Sequence, residues 1–275
     1  MGWALKDHIL QFKQISAFQD NYIWAMMSNG LAWVVDPGSA DPVIKALKHE
    51  KCKLAGILIT HHHNDHIGGI QELLDWVEPE NRDLVPVVGP INEEIPFKTI
   101  AVIEGDELEI FPGIVLQVLE VPGHTIGHVA YVLPVSANNP ISRVFCGDTL
   151  FASGCGRIFE GTATQMNQSL AKLSALPSQT YVYCAHEYTL SNIRFAQAVE
   201  PSNPNLIKWH AKANSLRQSG ESTVPTTLEL ELQVNPFLRC SEPSVIESAS
   251  KHAGQSLHDP VAVFAELRSW KDGFK

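Results

Sequence analysis

The chain has 275 residues, enough for one large domain or for a large and a small one. Hydrophobic residues make up 44% and charged residues 18%, the balance of an ordinary folded globular protein and not of a disordered or low-complexity one. The 20 basic and 30 acidic residues leave a net charge of −10, which argues against a nucleic-acid surface, because that needs a basic stripe.

The opening residues Met1–His8 lack the charged-then-apolar plan of an export signal, and no apolar run reaches membrane-spanning length, so a cytoplasmic location is expected. Tyr22–Met27 and Leu31–Val35 read as the strands of a hairpin, with Asn29-Gly30 at its turn. Asp36-Pro37-Gly38 is a turn, and Pro42–His49 has the apolar spacing of a helix. Leu54–Ile59 is a continuous apolar run, the pattern of a strand buried on both faces. Leu84–Val88 reads as a strand whose proline places it at an edge or an end, and Glu107–Val121 as a hairpin turning at Pro112-Gly113. Val129–Leu133 is a further strand. After His186 the pattern becomes helical: Leu190–Val199, Leu206–Arg217, Pro243–His252 stopped by Gly254, and Pro260–Lys271 opened by Asp259. Leu228–Val234 alternates like a strand, while the Thr226-to-Glu229 spacing of a capping box points to a short helix or irregular turn. The five cysteines are odd in number and scattered without C-x-x-C spacing, and they read as reduced thiols.

The stretch Thr60-His61-His62-His63-Asn64-Asp65-His66 follows the core strand directly. In extended chain a spacing of two sends His61 and His63 to the same side, so the pair can grip one cation. Asp65 and His66 fall at the entrance of the next helix and can face a second. A surface tract or tag remnant would not sit at the end of a core strand. Three later strand ends repeat the arrangement of strand, small residue and ligand type: His124 after Pro122-Gly123, Asp148 after Gly147, and His186 after Ala185. Ligands of layered α/β proteins gather at the carboxyl ends of strands, so the recurrence predicts one cleft.

The strings T-H-x-H-x-D-H, P-G-H-T, G-D-T and H-E-Y resemble the metallo-β-lactamase superfamily and, within it, glyoxalase II, the hydroxyacylglutathione hydrolases. Asp20-Asn21-Tyr22, the run Cys146–Arg157 and Asn235-Pro236-Phe237-Leu238-Arg239 extend the resemblance to nearly the whole chain. The resemblance implies an α/β fold, a four-layer αββα sandwich over 1–185 carrying a dinuclear metal site. A small all-helical substrate-binding domain over 186–275 follows. It implies His61, His63, His124 and Asp148 for one metal, Asp65, His66, His186 and Asp148 for the other, with Asp148 bridging and Asp36 supporting the ligands from behind. The metals would be zinc, iron or manganese, since imidazole and carboxylate donors do not select among them.

The implied reaction is hydrolysis of S-D-lactoylglutathione and related glutathione thioesters by a hydroxide shared between the metals, with Asp65 and Asp148 acting through it. Arg157, Phe159, Tyr188 and Arg239 would contact the substrate. Animal members of the family carry lysine and tyrosine where this chain has Arg157 and Phe159, and a further basic residue where it has Cys240-Ser241-Glu242. A monomer free of membrane and nucleic acid is expected. A lactonase is the nearest rival. A persulfide dioxygenase would use one iron, a secreted β-lactamase would replace Asp148 by cysteine, and a processing nuclease would carry a basic exosite. A non-catalytic metal-binding module would have lost a ligand, whereas all seven are present.

Overall fold

The computed structural model describes residues 10–274; the reading of Met1–His8 as lacking an export signal falls outside the described residues. Backbone contacts divide the chain into two units, Met1–Leu119 with Val129–Ser142, and Glu120–His128 with Arg143–Lys275.

In the first unit β1 (Gln11–Ala17), β2 (Asn21–Ser28) and β3 (Leu31–Val35) form an antiparallel meander, its second turn at Asn29-Gly30 with both residues at positive φ. Helix α1 (Ala40–Glu50) buries Val43 and Leu47, one helical turn apart, and ends on Lys51 in the left-handed conformation. Strand β4 (Lys53–Leu58) then pairs in parallel with β3. Two short helices, α2 (Asn64–Ile67) and α3 (Ile70–Trp76), precede β5 (Val87–Pro90) and β6 (Ile100–Val102). The six strands lie in chain order in one sheet. β4 is therefore interior, which is why its sequence carries no polar alternation. One side of the sheet and the helices enclose a core that includes Ile23, Val34, Leu47, Ile57, Ile59, Ile70 and Val87.

Of the two places expected for the proline of Leu84–Val88, an edge or an end, the structure has the end. Strand β5 runs between β4 and β6 and is not an edge, because Pro86 stands just before it, where its carbonyl accepts from the Ile57 amide at 2.9 Å. The edge is β6, which the sequence pattern does not announce. The unit is completed by the hairpin β7 (Glu107–Phe111) and β8 (Ile114–Glu120), turning at Pro112-Gly113, and by β9 (Val129–Leu133) beside β8.

The second unit contains β10 (Arg143–Gly147), the short pair β11 (Leu150–Phe151) and β12 (Gly154–Cys155), α4 (Ala163–Ser174), β13 (Tyr181–Cys184), α5 (Thr189–Val199), α6 (Pro204–Gln218), β14 (Thr226–Thr227), α7 (Leu228–Val234), α8 (Pro243–Ala253) and α9 (Pro260–Gly273). β13 lies between β10, its parallel neighbour, and the antiparallel β14. The sequence reading passed over α4, although Thr162 and Gln165 form a reciprocal capping box at its start. Among the described residues no helix is long and apolar enough to cross a membrane.

Leu228–Val234 is helical. Its cap is Thr227, whose hydroxyl accepts from the Leu230 amide, and not Thr226, which sits in the ladder opposite Val182. Alternation in sequence becomes a helical face that buries Leu228, Glu231 and Val234 at intervals of three, so a glutamate enters the core. Glu231 Oε2 accepts from the Ser153 amide at 2.7 Å and from the Asn235 side chain at 3.1 Å. Burial pushes its carboxyl up from 4.5 to about 7, against the lowering effect of those donors.

A carboxyl raised in the folded state stabilises fully below the unfolded value, and that contribution is lost as pH rises through the folded one. Glu231→Gln removes this loss. Urea unfolding between about pH 5 and 8 is expected to show stability falling in the parent by up to roughly 3 kcal/mol more than in the variant.

Candidate metal centre

The first cluster is built at the carboxyl ends of β3 and β4. Asp36 leaves β3 with φ 52°, a left-handed conformation that aspartate tolerates better than most residues. Its amide donates to the Leu58 carbonyl at 2.9 Å. Its carboxylate accepts from the Thr60 amide at 2.8 Å and the Thr60 hydroxyl at 2.7 Å, and lies 3.1 Å from His66 Nδ1. A carboxylate at this distance favours the proton on His66 Nδ1 and turns Nε2 away from Asp36. The same logic reaches His61. The Thr60 hydroxyl spends its proton on Asp36, so in its 3.0 Å contact it accepts from His61 Nδ1, which leaves the lone pair on His61 Nε2.

That nitrogen faces His63 Nδ1 at 3.0 Å. Two nitrogen ligands of one tetrahedral zinc lie roughly 3.3 Å apart, so the pair has the separation a shared cation requires. Asp65 and His66 are fixed by α2: His66 Nε2 lies 3.7 Å from Asp65 Oδ2, which also accepts from the Asn21 side chain at 2.9 Å. Gly38 permits this packing, because a Cβ there would meet the Asp65 carbonyl oxygen at 1.8 Å. His61 and His66 are buried, whereas the Asp65 side chain is 42% exposed.

The second unit carries its own cluster. Asp148, just past β10, has Oδ2 at 3.5 Å from His124 Nε2 and Oδ1 at 3.4 Å from His186 Nε2. Each carboxylate oxygen thus faces a different imidazole, the disposition of a bridging ligand. His124 Nδ1 donates to the Arg157 carbonyl at 2.8 Å, which again leaves Nε2 as the ligand atom. The Asp148 amide donates to His128 Nε2 at 3.2 Å, and His128 Nδ1 lies 3.3 Å from the Thr149 hydroxyl. His128 therefore holds the backbone at Asp148. Gly156 is needed for the same fit, since a Cβ would sit 1.9 Å from the Asp148 carbonyl oxygen.

Beside this cluster lies a recess of 390 Å³ lined by residues that include His124, Asp148, Arg157, Phe159 and Tyr188. Tyr188 stacks on His186 with centroids 4.7 Å apart and 6° between planes, and Phe159 sets its edge against His124 at 5.2 Å. Three of the four substrate-contact residues implied by the resemblance thus share this recess.

Arg239 does not line it. Its guanidinium grips Glu200 through Nε at 2.8 Å and Nη2 at 3.0 Å, and gives Nη1 to the Leu232 carbonyl at 3.1 Å. It lines a separate recess with Asn203, Ser244 and Lys251. The Arg239 guanidinium and the Ser244 hydroxyl hold the Glu200 carboxyl below its ordinary value although burial opposes them. The ion pair is a structural fastening.

The basic groups the sequence reading missed come from α9. Arg268 and Lys271 line the recess beside Asp148. Burial lowers the Lys271 ammonium to about 8, with Arg268 and Arg194 adding to the effect, and its Nζ donates to the Ser191 carbonyl at 3.1 Å. Their spacing of three at a helix end looks like ordinary dipole complementation. The one signal available was Arg268 itself, a cation on a face otherwise formed by Val263, Phe264 and Leu267.

Residues 21–186 match the family profile described as metallo-beta-lactamase superfamily, and residues 187–274 match the one described as hydroxyacylglutathione hydrolase C-terminus. A hydroxyacylglutathione hydrolase of Cupriavidus metallidurans is 52% identical over 269 residues, 97% of this chain and 100% of that protein. One of Nitrosomonas europaea is 49% identical over 95% of each chain. Among solved structures, a metallo-beta-lactamase from Staphylococcus aureus aligns with a TM-score of 0.62 at 19% identity over 98% of this chain and 74% of that one, a likeness of fold. The fold is accordingly the metallo-β-lactamase fold, with mixed α/β sheets followed by a helical C-terminal region. Matched along nearly its whole length by relatives about half identical to it, the chain belongs to the hydroxyacylglutathione hydrolase (glyoxalase II) family of the metallo-β-lactamase superfamily.

Proposed function

We propose that the chain hydrolyses S-D-lactoylglutathione and related glutathione thioesters to the 2-hydroxy acid and glutathione. The observation that carries the reading is Asp148 with one oxygen toward His124 and the other toward His186, beside a recess that holds cationic side chains. We assign His61, His63, His124 and Asp148 to one divalent metal and Asp65, His66, His186 and Asp148 to the other, with residues 1–185 as the metal domain and 186–275 as the substrate domain. Zinc is the first choice for both positions, with iron or manganese as alternatives.

When bound, the two ions supply a water acidified toward about 7 and polarise the thioester carbonyl. The chain's residues do the rest. Asp36 lies against His66 Nδ1 and the Thr60 hydroxyl meets His61 Nδ1, so the Nε2 atom of each ring is the one left to face the site. Asp65, half-exposed beside them, orients the attacking water. Arg157 and Lys271 offer positive charge to the anionic glutathione moiety, a local reversal of the net charge of −10. Phe159 and Tyr188 present apolar faces to the substrate. The leaving thiolate, whose parent thiol has an ordinary pKa of about 8.5, departs without a dedicated acid. The reading includes a cytoplasmic monomer with no membrane or nucleic-acid partner; the acidic balance supports the last point.

Metal-replete protein is expected to consume S-D-lactoylglutathione rapidly, followed by ultraviolet loss of the thioester, and to turn over a simple lactone poorly; the reverse preference overturns the reading. Asp148→Ala should release metal from both positions, and two metals retained per chain in elemental analysis would refute the bridging assignment. Arg239→Ala strands the buried Glu200 carboxylate, so unfolding stability should fall by roughly 3 kcal/mol while KM stays unchanged. Stability kept with a raised KM would return Arg239 to the substrate.

A further inference from the structure

Glu93 lies on the loop after β5 and has no role in the reading above, yet its side chain is 1% exposed. A buried carboxylate is costly unless donors surround it. Its Oε2 accepts from the His62 backbone amide at 3.2 Å, and His62 Nδ1 meets the same oxygen. One carboxylate therefore holds both the main chain and the ring of the residue between His61 and His63. The loop that carries it is fastened in turn: Lys98 Nζ donates to the carbonyls of Pro90 and Glu93, each at 2.7 Å. The His62 ring sets its edge against His63 with centroids 5.1 Å apart, so whatever fixes His62 also limits the tilt of His63.

We propose that Glu93 is a positioning residue for the metal centre, clamping His62 so that His61 and His63 keep the separation and direction one cation needs. The physical reason is local. His61 and His63 follow a strand into a loop, where each peptide plane is free to rotate, and the orientation of the plane at His62 sets the angle between the two ligand side chains. A charge-assisted hydrogen bond donated to a buried carboxylate removes that freedom before any metal arrives. The cost of ordering the ligands is then met by the fold and not by the binding energy of the ion.

The inference rests on the dinuclear-metal reading, and its test separates the two. Zinc affinity is measured on the full chain by competition with a chromophoric chelator, together with the absorption spectrum of the cobalt-substituted protein and the thermal midpoint without metal. Glu93→Ala should weaken zinc binding by roughly 10- to 100-fold and broaden the cobalt spectrum. Glu93→Gln, which keeps an acceptor oxygen for both His62 donors, should recover most of the affinity, and His62→Ala, which keeps the amide, should lose less than Glu93→Ala. Parental affinity in Glu93→Ala with only a lower thermal midpoint would make Glu93 merely structural and overturn the proposal. Should that variant not fold, Glu93→Asp, shorter by one methylene with the charge kept, reads the same way: weakened zinc binding supports the clamp and parental affinity refutes it. If the parent chain itself takes up no zinc, iron or manganese, the metal reading falls first and the clamp with it.

Discussion

The carboxylate of Asp36 is the constraint on which the first ligand cluster depends. It turns out of β3 at positive φ, accepts the amide and hydroxyl of Thr60 and meets His66 Nδ1, so one buried group joins the end of β3, the end of β4 and the helix that follows. The consequence is chemical as well as mechanical. By taking the Thr60 proton it decides which nitrogen of His61 is bare, and by direct contact it decides the same for His66. A metal site needs ligand atoms aimed before an ion arrives, and here the Asp36 and Thr60 side chains do the aiming.

The second cluster uses backbone in the same capacity. The Arg157 carbonyl sets the tautomer of His124, and His128 holds the Asp148 amide, so the Asp148 carboxylate is placed by its main chain while both of its oxygens remain directed at imidazoles. Close approach is made possible by glycine on each side: Gly38 against Asp65, Gly156 against Asp148. The recess beside Asp148 then gathers cations from a helix more than a hundred residues further along the chain. Burial that lowers the Lys271 ammonium also strengthens what its charge can do to an anionic ligand.

Local order was legible where a single element decides it. The apolar run of β4, the Asn29-Gly30 turn, and the helices from Pro204, Pro243 and Pro260 each follow from residues adjacent in sequence. Where two elements compete for one residue, the pattern misled. Thr226 looked like a helix cap, but both threonines pair with β13, the helix begins at Leu228, and Thr227 took the role. The alternation of Leu228–Val234 fitted a strand by period, and a helical face burying every third residue won, at the cost of a glutamate in the core. Pro86 left an edge or an end open, and the ladder with β6 decided for the end, the strand beginning one residue later.

The sequence by itself determined the ligand types, their placement after apolar strands, and the resemblance that names the family, because these reside in short contiguous strings. Only the tertiary structure decided which charges line the recess beside Asp148. Arg239 carries the right chemistry in a motif shared with the family, yet Glu200, thirty-nine residues away, consumes its guanidinium. Lys271 and Arg268 carry no motif and line the recess. Glu93 carries no motif either, and its side chain is 1% exposed. Long-range pairing of a charge depends on which loops meet, and a single chain read in order holds no record of those meetings.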